Sequence, residues 1–213
     1  PDTALLSAAR EACIPVFKTP LITMRFINLA TLALEMMFAP RRNEMGCMVD
    51  ILGVGVLIRG ESGIGKSEAV LALIERGYSL VADDITKVTL IDNQHVVGTS
   101  YETTRNLMEI RGIGIIDVAA MFGVRSVTRE KQINLVVTLV HWDKAQTIDR
   151  LGLDEETTDI LGVHIPHIVI PVRPGRDMGR LIEVAAFQTK LKMSGIHSAQ
   201  ALSERLMEKM TRD

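Results

Sequence analysis

Apolar and polar positions along this chain follow two different periods, which predict a domain that mixes strands with helices. Residues 54–58 form an apolar run with the length of a buried strand, and residues 48–51 before them complete a predicted hairpin. In residues 133–139 apolar side chains alternate with polar or smaller ones, as in a strand. The apolar positions of residues 67–76 recur at helical spacing instead, so we expect a helix there.

Shorter patterns complete the expected secondary structure. Further strands are predicted at residues 14–17, 80–82, 88–91, 95–97 and 168–170, and further helices at residues 4–12, 19–38, 181–191 and 199–210. Hairpins interspersed with helices favour an α/β domain with a mixed sheet over a doubly wound parallel one. Residues 39–44 place charges after a proline, which is typical of a domain boundary or a linker. We therefore expect a boundary between residues 1–42 and a main domain over residues 43–213.

Composition narrows the class of protein. The chain has 213 residues, of which 47% are hydrophobic, and a formal net charge of −2. This balance gives no sign of a nucleic-acid binder, and no apolar run reaches the roughly 18 residues that span a bilayer. Cys13 and Cys47 are too few for a disulfide framework, so both are expected to be reduced core thiols. The first residues lack a basic signal-peptide region, and a cytoplasmic protein is expected.

The most specific pattern is a glycine-rich segment between a predicted strand and a predicted helix. It consists of Gly60, Glu61, Ser62, Gly63, Ile64, Gly65, Lys66 and Ser67, and it fits the phosphate-loop pattern G-x-x-x-x-G-K-[ST]. Glycines let backbone N–H groups surround an anion, and the following helix directs its positive end to the same place. Lys66 adds a mobile cation, and the Ser67 hydroxyl can bind magnesium. A chance Gly-Lys-Ser in an ordinary turn is the alternative, and the flanking elements argue against it.

Two consecutive carboxylates, Asp83 and Asp84, follow the predicted strand at residues 80–82. A phosphate loop needs a carboxylate that holds magnesium, directly or through water, and often a base. Successive side chains of a strand point to opposite faces, so the two carboxylates need not share a role. One could bind magnesium or order its water, and the other could take a hydroxyl proton. An ordinary turn at a strand end is the alternative use of such a pair.

Two further segments combine charge with glycine or proline. Glu109 and Arg111 stand beside a glycine-rich apolar run, and residues 171–176 hold Arg173 and Arg176 in a stiff loop. An arginine fork suits phosphate oxygens, but either segment could equally be an ordinary loop.

In their order along the chain, these motifs resemble the C-terminal catalytic domain of the bacterial HPr kinase/phosphorylase family. The matching segments are the phosphate loop followed by Glu68, and residues 80–84, 109–116, 149–153 and 170–176. Five motifs in the right order make a specific match, whereas a phosphate loop alone would not. The resemblance covers residues 43–213 and extends weakly back through the first 40.

The resemblance implies a fold, a reaction and partners. The family's phosphate-loop domain is similar to phosphoenolpyruvate carboxykinase, and its members form homo-hexamers with a separate N-terminal domain. Residues 1–42 would then be the C-terminal remnant of that domain plus a linker. The implied reaction transfers phosphate from ATP or pyrophosphate, with Mg²⁺, to a serine of the phosphocarrier protein HPr. The same site would remove the phosphate by phosphorolysis, and neither a nucleic acid nor a membrane is implied as a partner.

The resemblance also implies roles for the residues of the loop and the carboxylates. Lys66 and the loop amides would hold the β-phosphate, and Ser67 and Glu109 would be the magnesium ligands. Asp84 would be the base in phosphorylation and the acid in the reverse reaction, with Asp83 as its near-equal rival.

Arginines complete the implied site. Arg150 matches an arginine that the family ties to catalysis. Residues 171–176, with Arg173 and Arg176, match the loop that matters most for dephosphorylation and that reaches a neighbouring subunit.

One departure from the family pattern lies before the predicted hairpin. The family usually has His-Gly-Val there and assigns the histidine a catalytic role, whereas this chain has Met45-Gly46-Cys47. A thioether can neither carry a proton nor bind phosphate as an imidazolium does. Asp117, where the family often has asparagine, is a milder change.

Two alternatives to the family function therefore stay open. The first is a divergent family member that phosphorylates another protein serine or a small hydroxyl compound. The second is a nucleotide-binding regulatory scaffold, against which the retained loop lysine and carboxylates argue.

Overall fold

The structure, a computed structural model, describes residues 2–144 and 156–196. The chain divides into two compact units, Pro1–Ala39 and Pro40–Asp213. All of the phosphate-loop and carboxylate motifs fall in the second unit.

The first unit is helical. It contains α1 (Thr3–Glu11) and α2 (Thr23–Phe38), as predicted, although α2 begins four residues later than expected. The Asp2 carboxylate caps α1 by accepting a hydrogen bond from the N–H of Ala4 over 3.0 Å. No residue of either helix is buried, and apolar side chains of α2 such as Phe26 are exposed.

Strands dominate the described part of the second unit. In chain order the strands are β1 (Arg41–Met45), β2 (Cys47–Ile51), β3 (Val54–Gly60), β4 (Ser79–Ala82), β5 (Ile85–Ile91), β6 (His95–Thr99), β7 (Leu107–Ile110), β8 (Gly114–Asp117), β9 (Glu130–His141), β10 (Thr157–Ile160) and β11 (Val163–Val172). The α-helices of this unit are α3 (Lys66–Glu75), α4 (Val118–Phe122) and α5 (Met178–Met193). Short 3₁₀ turns lie at Glu102–Thr104, Val124–Ser126 and Trp142–Lys144.

Nine of these strands form one mixed sheet, which confirms the predicted sheet type. The order is β1-β5-β6-β9-β3-β2-β4, with β11 on β9 and β10 on β11. Strand β9 runs parallel to β3 and β11, and β2 runs antiparallel to both β3 and β4. The carboxyl ends of β3, β4, β9 and β11 therefore meet at one edge of the sheet. Strands β7 and β8 form a separate hairpin.

Both faces of the central strands are buried. On one face, Leu73 of α3 and Ile182 of α5 pack with Val56 in the larger core cluster. On the other face, Leu57 and Val136 belong to a cluster whose buried members all come from strands, so the sheet curls around it. Burial on both faces explains the continuous apolar run of β3, and truncating Leu57 to alanine would cost roughly 2–5 kcal/mol.

Most of the predicted elements of the second unit are present. The hairpins β2–β3 and β5–β6, the strands β4 and β9, and the helices α3 and α5 all lie where the patterns placed them.

The boundary expected within residues 39–44 falls between Ala39 and Pro40, but most of this segment is a strand and not a linker. Residues from Arg41 onward form β1, which pairs antiparallel with β5 at the end of the sheet. The buried carboxylate of Glu44 is balanced by Arg42 and by Arg59, whose Nη2 lies 2.6 Å from Oε2. Charged residues suit an edge strand, because they oppose pairing with another chain.

The prediction of a strand over residues 14–17 is also wrong. Within the described residues no strand pairs with this segment, and Val16 and Phe17 are exposed. The expectation of two core thiols holds for Cys47 alone, because Cys13 is exposed; both thiols are free.

The strand expected at residues 168–170 is longer than predicted, and Pro171 does not end it. Strand β11 pairs with β10 through residues 163–166 and with β9 through residues 167–172. Among the described residues, each half thus has one edge without a partner strand, and a proline is tolerated where its missing N–H faces such an edge.

Two predicted features lie outside the described residues. They are the helix at residues 199–210 and the motif at residues 149–153, which includes Arg150.

Candidate active site

The connection between β3 and α3 is a tight turn that needs its glycines. Gly63 and Gly65 have φ angles of 80° and 100°, which favour glycine, and Gly65 caps the start of α3. A Cβ atom at Gly60 would lie 2.9 Å from both the Ile64 side chain and the carbonyl oxygen of Leu139. The backbone conformation of this turn therefore requires glycine at these positions of the pattern.

The first residues of α3 direct a cation and a hydroxyl to this turn. The Lys66 ammonium donates hydrogen bonds to the carbonyl oxygens of Gly60 and Glu61 over 3.0 and 3.1 Å, so it lies across the loop. The Ser67 hydroxyl lies in the first turn of the helix, whose positive end faces the same space. This arrangement can bind an anion such as a phosphate group.

Asp83 connects three segments of the site. Its Oδ1 accepts hydrogen bonds from the Cys47 thiol at 3.0 Å and from the Ser67 hydroxyl at 3.4 Å, and its Oδ2 accepts from the Glu109 N–H at 3.0 Å. Asp83 follows β4, whose carboxyl end lies at the same sheet edge as the loop. Hydrogen bonds from residues of β2 and β7 therefore hold the carboxylate beside the start of α3.

Asp84 occupies a different position from its neighbour. Its side chain is exposed, its φ is 59°, and its carbonyl oxygen accepts from the N–H of Gly46 over 2.7 Å. Met45 pairs with Ile85, the residue after Asp84, and is 66% exposed. The methionine that departs from the expected pattern is thus paired, in the strand register, with the residue that follows Asp84.

The hairpin β7–β8 covers another side of the loop. Glu109 of β7 is exposed, and the Arg111 guanidinium lies against Gly63, since a Cβ atom there would approach Nη1 to 2.9 Å. The sequence alone identified Arg111 as a cation of interest but did not place it in the site. The signal was its position just after Glu109; β7 ends at Ile110, so Arg111 lies in the turn that follows.

These groups surround one pocket of about 190 Å³. Its lining residues are Ser62, Gly63, Gly65, Lys66, Ser67, Glu68, Asp83, Asp84, Glu109 and Arg111. A larger, more apolar cavity of about 640 Å³ lies near the amino end of β9 and the end of α5. The smaller pocket is the candidate active site, because it alone of the two brings the loop and both consecutive carboxylates together.

The Cys47 thiol is a contributor that the sequence did not reveal. It is buried beneath Asp83, and burial, together with the adjacent carboxylate and its hydrogen bond, raises the pKa of the thiol. The thiol therefore stays protonated and donates its hydrogen bond to Asp83.

The predicted arginines at residues 171–176 lie at the same sheet edge but do not line the 190 Å³ pocket. The guanidinium carbon of Arg173 lies 3.1 Å from the ring centroid of Trp142, which follows β9. Arg176 donates to the carbonyl oxygen of Pro171 over 3.4 Å. Nearby, Nε2 of His141 lies 3.8 Å from the Glu61 carboxylate of the loop.

Comparison with known proteins identifies the family. A family model described as the HPr Serine kinase C-terminal domain matches residues 36–206, so the chain belongs to this family. This confirms the resemblance drawn from the motifs. Among the described residues, no helix has the length and apolar character needed to cross a membrane.

Several curated proteins are similar to this chain. The HPr kinase/phosphorylase 1 of Oceanobacillus iheyensis is 45% identical over 202 residues, which are 95% of this chain and 65% of that protein. The HPr kinase/phosphorylase of Geobacter sulfurreducens is 47% identical over 210 residues, which are 99% of this chain and 66% of that protein. The chain thus spans just under two thirds of the length of these relatives.

A solved structure has the same fold. The structure of the Hpr(Ser) kinase/phosphatase from Coxiella burnetii matches with a TM-score of 0.69 and 36% identity. The match covers 76% of this chain and 98% of that one.

Proposed function

We propose that this chain is the catalytic part of a bifunctional HPr kinase/phosphorylase. It transfers phosphate from ATP or pyrophosphate to a serine of HPr, and it removes that phosphate by phosphorolysis. The observation that carries the proposal is the convergence of Lys66, Ser67, Asp83, Asp84 and Glu109 on one pocket. The names of the similar proteins support HPr as the acceptor.

The glycine-rich loop is the donor site in this proposal. Residues 60–67 form a phosphate loop whose amides and helix end hold the β-phosphate. The Lys66 ammonium, now bonded to loop carbonyls, turns to the phosphate oxygens. Arg111 lies against the same loop and is placed to neutralise further negative charge.

The donor set of the pocket fits a magnesium ion. Magnesium is held in phosphoryl-transfer sites by one or two carboxylates together with hydroxyl, water and phosphate oxygens. The described residues contain no cluster of three or more His, Cys, Asp and Glu side chains that could hold a metal without such partners. Ser67 and Glu109 would hold the ion, with Asp83 ordering its water. When bound, magnesium neutralises charge on the donor phosphates.

Asp84 handles the serine proton. The serine oxygen attacks the terminal phosphorus of the donor, the bond from that phosphorus to the bridging oxygen breaks, and Asp84 takes the hydroxyl proton. Exposure at the mouth of the pocket suits contact with a protein substrate, whereas Asp83 is occupied by three donors.

Phosphorolysis reverses the proton transfer. An oxygen of inorganic phosphate attacks the phosphorus of the seryl phosphate, pyrophosphate forms, and Asp84 returns a proton to the leaving serine oxygen. This direction gathers more negative charge, and Arg150, Arg173 and Arg176 would serve it. The position of Arg173 at the loop's edge of the sheet supports this role.

The proposal extends to the assembly. The first unit, Pro1–Ala39, is the end of an N-terminal domain, which the exposed apolar side chains of α2 and the greater length of the relatives support. The main domain, residues 43–213, is similar to phosphoenolpyruvate carboxykinase and assembles as a homo-hexamer.

Met45 favours a second candidate function. A family histidine is replaced at the position that pairs with Ile85, the residue after Asp84, so a divergent kinase with another acceptor is the alternative. An assay with radiolabelled ATP, HPr and a Ser→Ala variant of HPr tests both. If HPr becomes labelled and its Ser→Ala variant does not, the proposal is supported. If HPr stays unlabelled while the enzyme hydrolyses ATP or transfers the label to another acceptor, the alternative is favoured.

A further inference from the structure

Apart from the loop pocket and the 640 Å³ cavity, a pocket of about 630 Å³ lies among residues that the proposed function does not use. It is called the second pocket below. Its lining residues are Lys87, Thr99, Ser100, Tyr101, Glu102, Thr103, Arg105, Arg129 and Glu130. They come from β5, from the connection between β6 and β7, and from the start of β9. None of them lines the loop pocket.

Arg105, which lines this pocket, carries an unpaired buried atom. Its Nε is the one buried side-chain nitrogen or oxygen in residues 2–144 and 156–196 that has no hydrogen-bond partner. Buried donors in folded proteins are nearly always paired, and leaving one unpaired is costly. A planar guanidinium pairs best with the oxygens of a phosphate or a carboxylate.

The neighbouring cations also lack counter-ions. Within the described residues, Lys87, Arg105 and Arg129 take part in no ion pair, whereas Arg59 and Arg180 pair with carboxylates. Unpaired cations that line one cavity attract an anion.

Two carboxylates restrict the size of that anion. Glu102 and Glu130 also line the pocket, so its formal charge is only +1. A nucleic acid or an extended acidic protein surface would meet both carboxylates and be repelled. A small ligand can place its charge on the cations and avoid them. The volume of the pocket, about 630 Å³, lies within the range of small-molecule sites.

We infer that this pocket binds a small oxyanion, a phosphate or a carboxylate, through Arg105, Lys87 and Arg129. The site stands next to the active-site segments along the chain. Arg105 lies two residues before β7, which carries Glu109, and Lys87 lies three residues after Asp84. A ligand that fixes Arg105 therefore fixes the start of β7.

Calorimetric titration of the full chain with inorganic phosphate, without nucleotide, tests this inference. We expect two bound phosphates, one at the loop and one at the second pocket. Arg105→Gln and Lys66→Ala should each leave one, and the double variant none. Arg125→Gln, which removes an exposed arginine outside both pockets, should leave two.

The variants separate this inference from the proposed function. If folded Arg105→Gln still binds two phosphates, the inference of a second site is overturned. The same holds if Lys66→Ala binds none. Two phosphates bound by Lys66→Ala would contradict the loop assignment instead. If Arg105→Gln fails to fold, Arg129→Gln in the Lys66→Ala background is the variant that decides. We expect it to bind phosphate about tenfold more weakly than Lys66→Ala alone. Unchanged binding would overturn the inference. Succinate as competitor in that background distinguishes a general oxyanion site, where it displaces phosphate, from a phosphate-selective one.

Discussion

The thiol of Cys47 donates a hydrogen bond to Oδ1 of Asp83, with 3.0 Å between sulfur and oxygen. Cys47 lies on β2 and Asp83 follows β4, and these two strands are neighbours in the sheet. The buried thiol is therefore part of the support that holds Asp83 against Ser67. A valine at this position could not make this bond.

The first prediction is that the chain loses stability at alkaline pH through Cys47. Burial raises the pKa of Cys47 above its ordinary 9.0, so the folded chain keeps a proton that the unfolded chain releases above pH 9. Because the unfolded state then binds fewer protons, the free energy of unfolding falls as pH rises, by up to about 1.4 kcal/mol per pH unit. Urea unfolding between pH 8 and 11 measures this slope.

Cys47→Val is the matched control for that slope. Tyr78 acts in the same direction, because burial and its bond to Glu183 raise its pKa to about 12, but it is unchanged in the variant. The variant should lose stability less steeply between pH 9 and 10 than the wild type. Identical slopes would show that Cys47 is deprotonated in the folded chain.

The second prediction concerns the two carboxylates. Asp84→Asn should lower phosphoryl transfer to HPr by roughly 10²- to 10⁴-fold, because it removes the base, while nucleotide binding stays. Asparagine also tolerates the left-handed backbone of this position. Asp83→Asn should instead weaken binding of magnesium and nucleotide, because it alters the carboxylate beside Ser67.

Transfer rates and nucleotide affinities of both variants decide between the roles. If Asp83→Asn, and not Asp84→Asn, loses transfer rate while its nucleotide affinity stays normal, then Asp83 is the base and the two roles are exchanged.

Local motifs made the loop and the carboxylates predictable from sequence. Residues 60–67 lie between one strand and one helix, and Asp83 ends a strand, so each position depends on a short segment. Contacts between distant segments were not predictable, because they depend on the order of strands in the sheet. Arg111 reaches Gly63 only because the β7–β8 hairpin folds over the loop, and Arg173 reaches Trp142 only because β9 and β11 are parallel neighbours.

The edge strand β1 shows a second limit of the sequence. Its charged residues gave no apolar alternation, and its partner β5 lies forty or more residues further along the chain. The buried Glu44 is balanced by its neighbour Arg42 and also by Arg59 of β3, a contact between segments that the sequence did not reveal.

The third prediction is that Met45→His raises the rate of phosphorolysis. An imidazole at this position, which pairs with the residue after Asp84, would add a group that carries a proton or binds phosphate. Release of pyrophosphate from phosphorylated HPr measures the rate. Met193→His, at another exposed methionine outside the loop pocket, should have no effect. A rate unchanged by Met45→His would mean that the methionine is a neutral substitution.

The fourth prediction is that Arg173→Ala lowers phosphorolysis more than it lowers the kinase reaction. Phosphorolysis brings a free phosphate and a seryl phosphate together, so it depends more on an added cation. Arg173→Lys keeps the charge but loses the fork, and it should fall between the alanine variant and the wild type. Both rates are to be measured on one preparation. Equal losses in the two directions would assign Arg173 a general role in binding.

In the proposed function, phosphoryl transfer depends most on Lys66 and the loop that it crosses. The most direct measurement is the amount of phosphoserine formed on HPr by wild type, Lys66→Ala and Lys18→Ala, the last replacing a lysine outside the loop pocket. We predict that Lys66→Ala abolishes transfer while its unfolding midpoint stays near that of the wild type, and that Lys18→Ala transfers normally. Normal phosphoserine formation by Lys66→Ala would contradict the assignment of this pocket as the site of phosphoryl transfer.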